Sequence, residues 1–296
     1  MVTTFMEPIA RPVAGRAVWP VGLGGAWWSI GDAVDEARSI RTIHAALDLG
    51  ANLIDTAAAY TTADAARHNE TLIARALRQH PGADPMIVTK GGHVRVSADE
   101  WIVDGTPEAL AADCDASLSA LGVDAIDLYL LHKVDPAVPL EESVGALDEL
   151  RRSGKVRAIG LSNVSGADLD RALAVAGIDA VENEFSALNA THTGVARRCE
   201  ELGIAFLAYS PLGGASRVHP LREAYPRTAA IAAGSGHSLQ RVLLAWVLKQ
   251  SSSIIAIAGA NRPETAVDSL AAPRVHLTDE AWSRIEDELA RPRAIR

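Results

Sequence analysis

The chain has 296 residues, 48% of them hydrophobic and 22% charged, with a formal charge of −9 from 28 Lys and Arg against 37 Asp and Glu. This balance excludes a disordered chain and leaves no basic stripe to follow a phosphate backbone, so nucleic acid is not an expected partner. No stretch approaches the ~20 consecutive apolar residues of a membrane span, and MVTTFMEPIARPVAGRAVWP lacks a charged start followed by an apolar run; a cytoplasmic protein is expected.

A first strand is predicted in WPVGLGG, and from about residue 38 amphipathic helical stretches alternate with short apolar runs. SIRTIHAALDLG closes on Gly50 before ANLIDT; NETLIARALRQ leads to PMIVTK, and PEALAADCDASLSAL to AIDLYLLH. VGALDELRRSG then precedes VRAIGLS, GADLDRALAVAG precedes DAVENEF, VARRCEELG precedes IAFLAYS, and SLQRVLLAWVLKQ precedes SIIAIAG. Eight strands joined by right-handed crossovers predict a closed (β/α)₈ TIM barrel, one α/β domain over 1–296; a doubly wound open sheet is the competing topology. LTDEAWSRIEDELARP reads as a closing C-terminal helix with Thr278 as N-cap.

Two stretches exceed ordinary connections: GGHVRVSADEWIVDGT after Lys90 and PLGGASRVHPLREAYP after Ser210. Both follow strand C-terminal ends, where barrel active sites lie, and both are expected as functional loops. Cys114 and Cys199 sit far apart in helical segments and read as buried thiols, without a disulfide or a metal site.

The chemistry gathers at the strand ends. Asp55 ends ANLID, Lys90 ends MIVTK, His132 ends LYLLH, and Tyr60 follows Asp55 in the next loop. Taken singly, Asp55 reads equally as a turn former, Lys90 as a solvated terminus and His132 as a packing group. Three successive strands that deliver such groups to one rim, with a phenol beside them, suit proton donation to a carbonyl oxygen. A tyrosine ionises near pH 10, and Lys90 is expected to lower that value, with Asp55 as counterion and His132 orienting the carbonyl. Two other chemistries use the same residues: a Schiff-base lyase or aldolase built on Lys90, and a metal held by His132 with Asp135, which lacks further ligands at suitable spacing.

The motifs IDTAAAY, VTKGG, LGVDAIDLYLLH, GKVRAIGLSNV, AYSPLGG, LLAWVLKQ and IAIAGANRPETAVDSL together resemble the aldo-keto reductase superfamily, from about residue 18 to 290. The resemblance implies that Asp55, Tyr60, Lys90 and His132 form a catalytic tetrad with Tyr60 as general acid. It implies that Ser162, Asn163 and Glu182 meet the nicotinamide carboxamide and that Tyr209 stacks on the ring. It further implies that Ser210, Pro211, Leu212 and Gly213 cover the pyrophosphate, and that Gly259 to Ser269, with Asn261, Arg262, Thr265 and Asp268, hold the adenosine end. The implied cofactor is NADP(H), with NAD(H) admitted, and the implied partner is a small-molecule carbonyl compound. A cofactor-sensing, non-catalytic subunit on the same scaffold is the rival from another class.

Gly22, Gly24 and Gly25 form a GLGG, but Trp27 stands where a dinucleotide fingerprint needs a third glycine. In the resembling family this stretch borders cofactor and substrate, which places Gly24 and Trp27 beside the site. Trp27, Trp28 and Trp101 read as a substrate wall or as loop packing; His93 and Arg95 meet a polar substituent or face solvent. Glu182 stands where many members have glutamine, so as a carboxylate it accepts but does not donate, and it favours the positively charged oxidised nicotinamide. Asp268 and Ser269 replace a Glu-Asn pair, and Thr265 replaces an arginine at the 2′-phosphate, for which Arg262 and Asn261 compensate.

Overall fold

Each apolar run predicted as a strand forms one, and a β-rich run flanked by helical sequence buries both of its faces. The computed structural model describes residues 10–30, 34–97, 100–214 and 220–290. The strands are β1 (Val21–Gly24), β2 (Leu53–Asp55), β3 (Met86–Gly91), β4 (Ile126–Leu131), β5 (Val156–Ser162), β6 (Ala180–Glu184), β7 (Ala205–Tyr209) and β8 (Ile254–Gly259). They pair in parallel in chain order, and β8 returns to β1 through Ala256↔Val21 to Gly259↔Gly24, which closes the ring. The fold is the (β/α)₈ TIM barrel.

Helices α1 (Glu36–Asp48), α2 (His68–Arg78), α3 (Pro107–Leu121), α4 (Leu140–Arg152), α5 (Gly166–Leu173) and α6 (Thr193–Leu202) connect successive strands. The final connections carry α7 (Leu221–Ala224), α8 (Pro226–Gly234), α9 (Leu239–Lys249), α10 (Pro263–Leu270) and the closing α11 (Asp279–Leu289). Thr278 caps α11 as expected, accepting from Ala281 N at 3.2 Å. Among the described residues no helix is long and apolar enough to cross a membrane.

Two apolar layers follow from the strand period of two. One set, including Leu53, Met86, Val88, Leu128, Leu207 and Ile255, fills the barrel interior, while Ile54, Ile87, Tyr129, Ile159 and Phe206 face the helices. Cys114 and Cys199 are buried, and burial pushes their thiols up to about 11 and about 12, as befits inert packing groups.

An antiparallel hairpin of Arg11–Val13 with Arg16–Val18, absent from the sequence reading, supplies Val13 and Val18 to the interior cluster. Its two turn residues, Ala14 and Gly15, both have positive φ (46° and 79°), the backbone twist that suits a two-residue hairpin turn. These valines pack with first-in-strand residues such as Ala180 and Ala205, so the hairpin plugs the end of the barrel opposite the site.

The stretch after Lys90 is likewise not a loop. His93–Arg95 pairs antiparallel with Trp101–Val103, and in each strand the middle residue is exposed while its neighbours are half-buried, the strand period of two; residues 98 and 99 of this stretch lie outside the described residues. In the stretch after Ser210, residues 215–219 lie outside the described residues, and the chain beyond them is helical, with Pro226 opening α8.

The GLGG run has a packing cause. A Cβ on Gly22 would lie 2.6 Å from Leu53 Cδ2, and one on Gly25 would lie 2.5 Å from Asn69 Oδ1. These glycines admit their neighbours closely and have nothing in common with a phosphate loop.

Candidate active site

The C-terminal ends of the strands surround a cleft of about 1040 Å³. Asp55, the last residue of β2, and Lys90, the penultimate residue of β3, are both buried and form an ion pair, and the Lys90 ammonium also donates to Thr56 O at 2.9 Å. Glu182, on β6, brings a second carboxylate within 3.2 Å of the same ammonium. The Tyr60 ring has its centroid 5.4 Å from Lys90 Nζ, and the His132 ring stands edge-on to it at 5.9 Å between centroids. The four residues singled out at the strand ends therefore meet at one point.

Their electrostatics follow from burial. Desolvation pulls the Lys90 amine down, but Asp55 and Glu182 outweigh it and hold the group above its ordinary value, as an ammonium. Desolvation also raises Tyr60, and the pull of Lys90 only partly offsets it, so the phenol lies above its usual value. This corrects the expectation of a lowered tyrosine: the direction of the Lys90 effect is as expected, but enclosure in a dry pocket is the larger effect. Burial, then the charge of Lys90, keeps His132 well below the ordinary histidine range and hence neutral near pH 7. Burial likewise raises both carboxyls. Glu182 rises further because the Asp55 charge repels it, whereas Lys90 binds Asp55 more closely.

The predicted cofactor residues nearly all line the cleft: Gly24, Ser162, Asn163, Glu182, Tyr209 and Ser210 at the tetrad end, then Pro211, Leu212, Gly259, Asn261, Arg262, Thr265, Asp268 and Ser269. Asn163 and Ser210 adopt left-handed backbone conformations (φ 60° and 49°), two of four such non-glycine residues among those described. Asn163 is held by its Nδ2, which donates to His132 O at 3.0 Å, and by Tyr209 OH, which donates to its Oδ1 at 2.8 Å. Asp268 accepts from Ser238 Oγ at 2.5 Å and Arg241 Nη2 at 2.6 Å, so its charge is already matched.

Three expectations change. Gly213 is buried and does not line the cleft; it forms the turn in which its N–H bonds Ser210 O at 2.7 Å. Trp28 is fully buried, with its indole N–H donating to Ala260 O at 2.8 Å, because the 3₁₀ turn Ala26–Trp28 sends adjacent tryptophans in opposite directions. Only Trp27, 45% exposed, lines the cleft. His93 stands edge-on to His132 at 4.8 Å and beside Trp101 at 5.1 Å, and Arg95 covers Trp101 while donating to Thr61 O at 2.8 Å. Asp135 spends its carboxylate on Gly105 N and Ala137 N, both within 2.9 Å.

Sequence reasoning missed Arg222, Leu239 and Gln240 on the cleft; the Ser-Leu-Gln-Arg start of α9 signalled a helix N-terminus there. It also missed Asn69, whose wholly buried amide donates to Gly25 O (2.8 Å) and Ser29 Oγ (2.7 Å) and accepts from Thr56 Oγ1 (2.7 Å). These bonds tie the loops after β1 and β2 together, and Asn69 N also donates to Tyr60 O at 3.2 Å. An Asn69→Ala chain is expected to lose about 1–3 kcal/mol of folding stability, since buried partners are left unpaired. Thermal unfolding checks it, and a change within error would show that the loops do not depend on the amide.

The pattern of the Aldo/keto reductase family matches residues 20–290. The chain belongs to the aldo/keto reductase family. This aldo/keto reductase is 30% identical to "Probable aldo-keto reductase 1" of Glycine max, over 95% of this chain and 88% of that one. Its fold is similar to that of a glycerol dehydrogenase from Gluconobacter oxydans (TM-score 0.83, 27% identity, 98% of each chain covered). An aldo-keto reductase from Klebsiella pneumoniae, solved in complex with NADPH, shares the fold at TM-score 0.80 and 24% identity, with 98% of each chain covered.

Proposed function

We propose that this reductase interconverts a carbonyl compound and its alcohol with NADP(H), and that Tyr60 supplies the proton. The observation that carries the reading is a phenol set between a buried ammonium and a neutral imidazole at one end of a long cleft. The cleft fits a dinucleotide. Glu182 Oε2 is a buried oxygen without a partner in its floor, suited to an amide NH₂. Arg222 and Arg262 and the first turns of α9 and α10 (Leu239, Gln240, Glu264, Thr265) border the same cleft and suit a phosphate-bearing end.

Ser162, Asn163, Glu182 and Tyr209 would hold the nicotinamide, Ser210 to Leu212 the pyrophosphate, and Asn261, Arg262, Thr265, Asp268 and Ser269 the adenosine. When bound, the nicotinamide supplies or accepts the hydride. Tyr60 OH donates to the substrate oxygen; its raised pKa keeps the proton in place until negative charge develops there. Lys90 stabilises the phenolate left behind, and Asp55 keeps Lys90 charged. His132, neutral, donates a hydrogen bond that orients the carbonyl. Trp27 forms the substrate wall in the cleft, without Trp28; His93, edge-on to His132, and Trp101 beside His93 continue it outside the cleft. The partner is a small carbonyl compound, the setting cytoplasmic, and residues 1–296 one domain.

Lys90 is wholly buried and held protonated, which disfavours a Schiff-base lyase, since the nucleophile must be a free amine. The test is a titration with NADPH, read by quenching of tryptophan emission, followed by NADPH oxidation against a panel of aldehydes and ketones. Saturable binding and turnover support the reading; neither binding nor turnover would overturn it. Arg262→Ala is expected to weaken NADPH by roughly 10- to 100-fold while leaving NADH nearly unchanged, because a charge-assisted bond to the 2′-phosphate is worth about 1.5–3 kcal/mol. Equal weakening of both would place Arg262 elsewhere on the nucleotide.

A further inference from the structure

We propose that Glu182 is a proton-linked selector of the cofactor's redox state: it keeps its proton beside reduced nicotinamide and gives it up when oxidised, positively charged nicotinamide binds. This rests on the NADP(H) reading above and adds to it a role that a glutamine at the same place does not have.

Charge balance motivates the idea. Three ionisable groups, Asp55, Lys90 and Glu182, are packed together out of water, with one ammonium between two carboxyls. Lys90 is matched by Asp55, so a second ionised carboxylate leaves one unbalanced negative charge in a dry site. A proton on Glu182 removes that charge. So does a positive ring against the cleft floor, where Oε2 has no protein partner. Proton and cation therefore compete for the same compensation.

The titratable groups that face Glu182 are Asp55 from β2, Tyr60 from the loop behind it, Lys90 from β3 and Tyr209 from β7. Its register neighbour on β5 is Ser162, and its own backbone carbonyl accepts from Asn163 N at 3.0 Å, which fixes the strand but not the charge. Burial raises Tyr60 and Tyr209, so both remain neutral phenols at ordinary pH, and Lys90 remains an ammonium. Glu182 is left as the group with a proton to lose when the positive ring arrives.

By linkage, a group deprotonated on binding makes affinity rise with pH, by up to about tenfold per pH unit for one full proton. The ratio of NADPH to NADP⁺ dissociation constants isolates the effect, because ionisation of the shared 2′-phosphate cancels in it. In the wild-type protein that ratio should rise with pH, and calorimetry in buffers of different ionisation enthalpy should detect up to one more proton released with NADP⁺ than with NADPH. In Glu182→Gln, which keeps the shape, the ratio should be flat and the difference in proton release between the two nucleotides gone. A wild-type ratio independent of pH, or a Glu182→Gln chain that retains the wild-type slope, would overturn the proposal. The wild-type measurement decides even where the variant does not fold. Failure to bind either nucleotide would instead defeat the NADP(H) reading itself.

Discussion

Replacing Tyr60 with phenylalanine is expected to lower carbonyl turnover by about 10²- to 10⁴-fold while NADPH binding stays within a factor of a few. The magnitude is that of a positioned general acid. The phenyl ring keeps the edge-on contact with His132 and the place beside Lys90, so the variant removes the proton and little of the packing. No neighbour substitutes for it: His132 is neutral, and a neutral imidazole holds its N–H proton too tightly to act as the acid, while Lys90 donates to Asp55 and Thr56 O. Stopped-flow binding of NADPH and steady-state oxidation on one substrate separate the two effects. Unchanged turnover would remove Tyr60 from the chemistry.

Lys90→Met carries the second large effect, on stability as well as rate. The side chain is wholly buried, and its loss leaves Asp55 and Glu182 facing each other without a cation. Breaking a buried pair from one side costs about 3–5 kcal/mol. The sign of the pH dependence follows: without the ammonium both carboxyls are raised further above their unfolded values, so the variant is closest to wild type at low pH and its deficit grows as pH rises. Adding Asp55→Asn should restore part of the stability but none of the turnover, because the phenolate still lacks its cation. A double variant as unstable as the single one would contradict this account of the charge balance. Denaturant unfolding across pH measures both.

The barrel and the meeting of Asp55, Tyr60, Lys90 and His132 at its rim were legible in the sequence for a physical reason. Asp55, Lys90 and His132 each follow a short, mostly apolar run, and strands buried on both faces are written as such runs. What escaped depended on direction and enclosure. Trp27 and Trp28 are indistinguishable in sequence, yet a single 3₁₀ turn buries one and exposes the other. The contact of Lys90 with Tyr60 was expected, but its effect on the phenol was not, because the pattern of residues does not state how dry the pocket is. Asn69 looks like any helix-start polar residue until the loops that converge on it are in place. The Ala14-Gly15 turn lacks the Asn-Gly or Asp-Gly of a readable hairpin signal, so the valines that plug the barrel were missed.

The most direct test of the central claim is isotope transfer. NADPH carrying deuterium at C4 of the dihydronicotinamide is incubated with the protein and an aldehyde that it turns over, and the alcohol is analysed by mass spectrometry. The account predicts one deuterium on the carbinol carbon from one face of the nicotinamide, and about 10²- to 10⁴-fold less labelled alcohol when Tyr60→Phe is used at equal time. Alcohol formed without label from either face would contradict it.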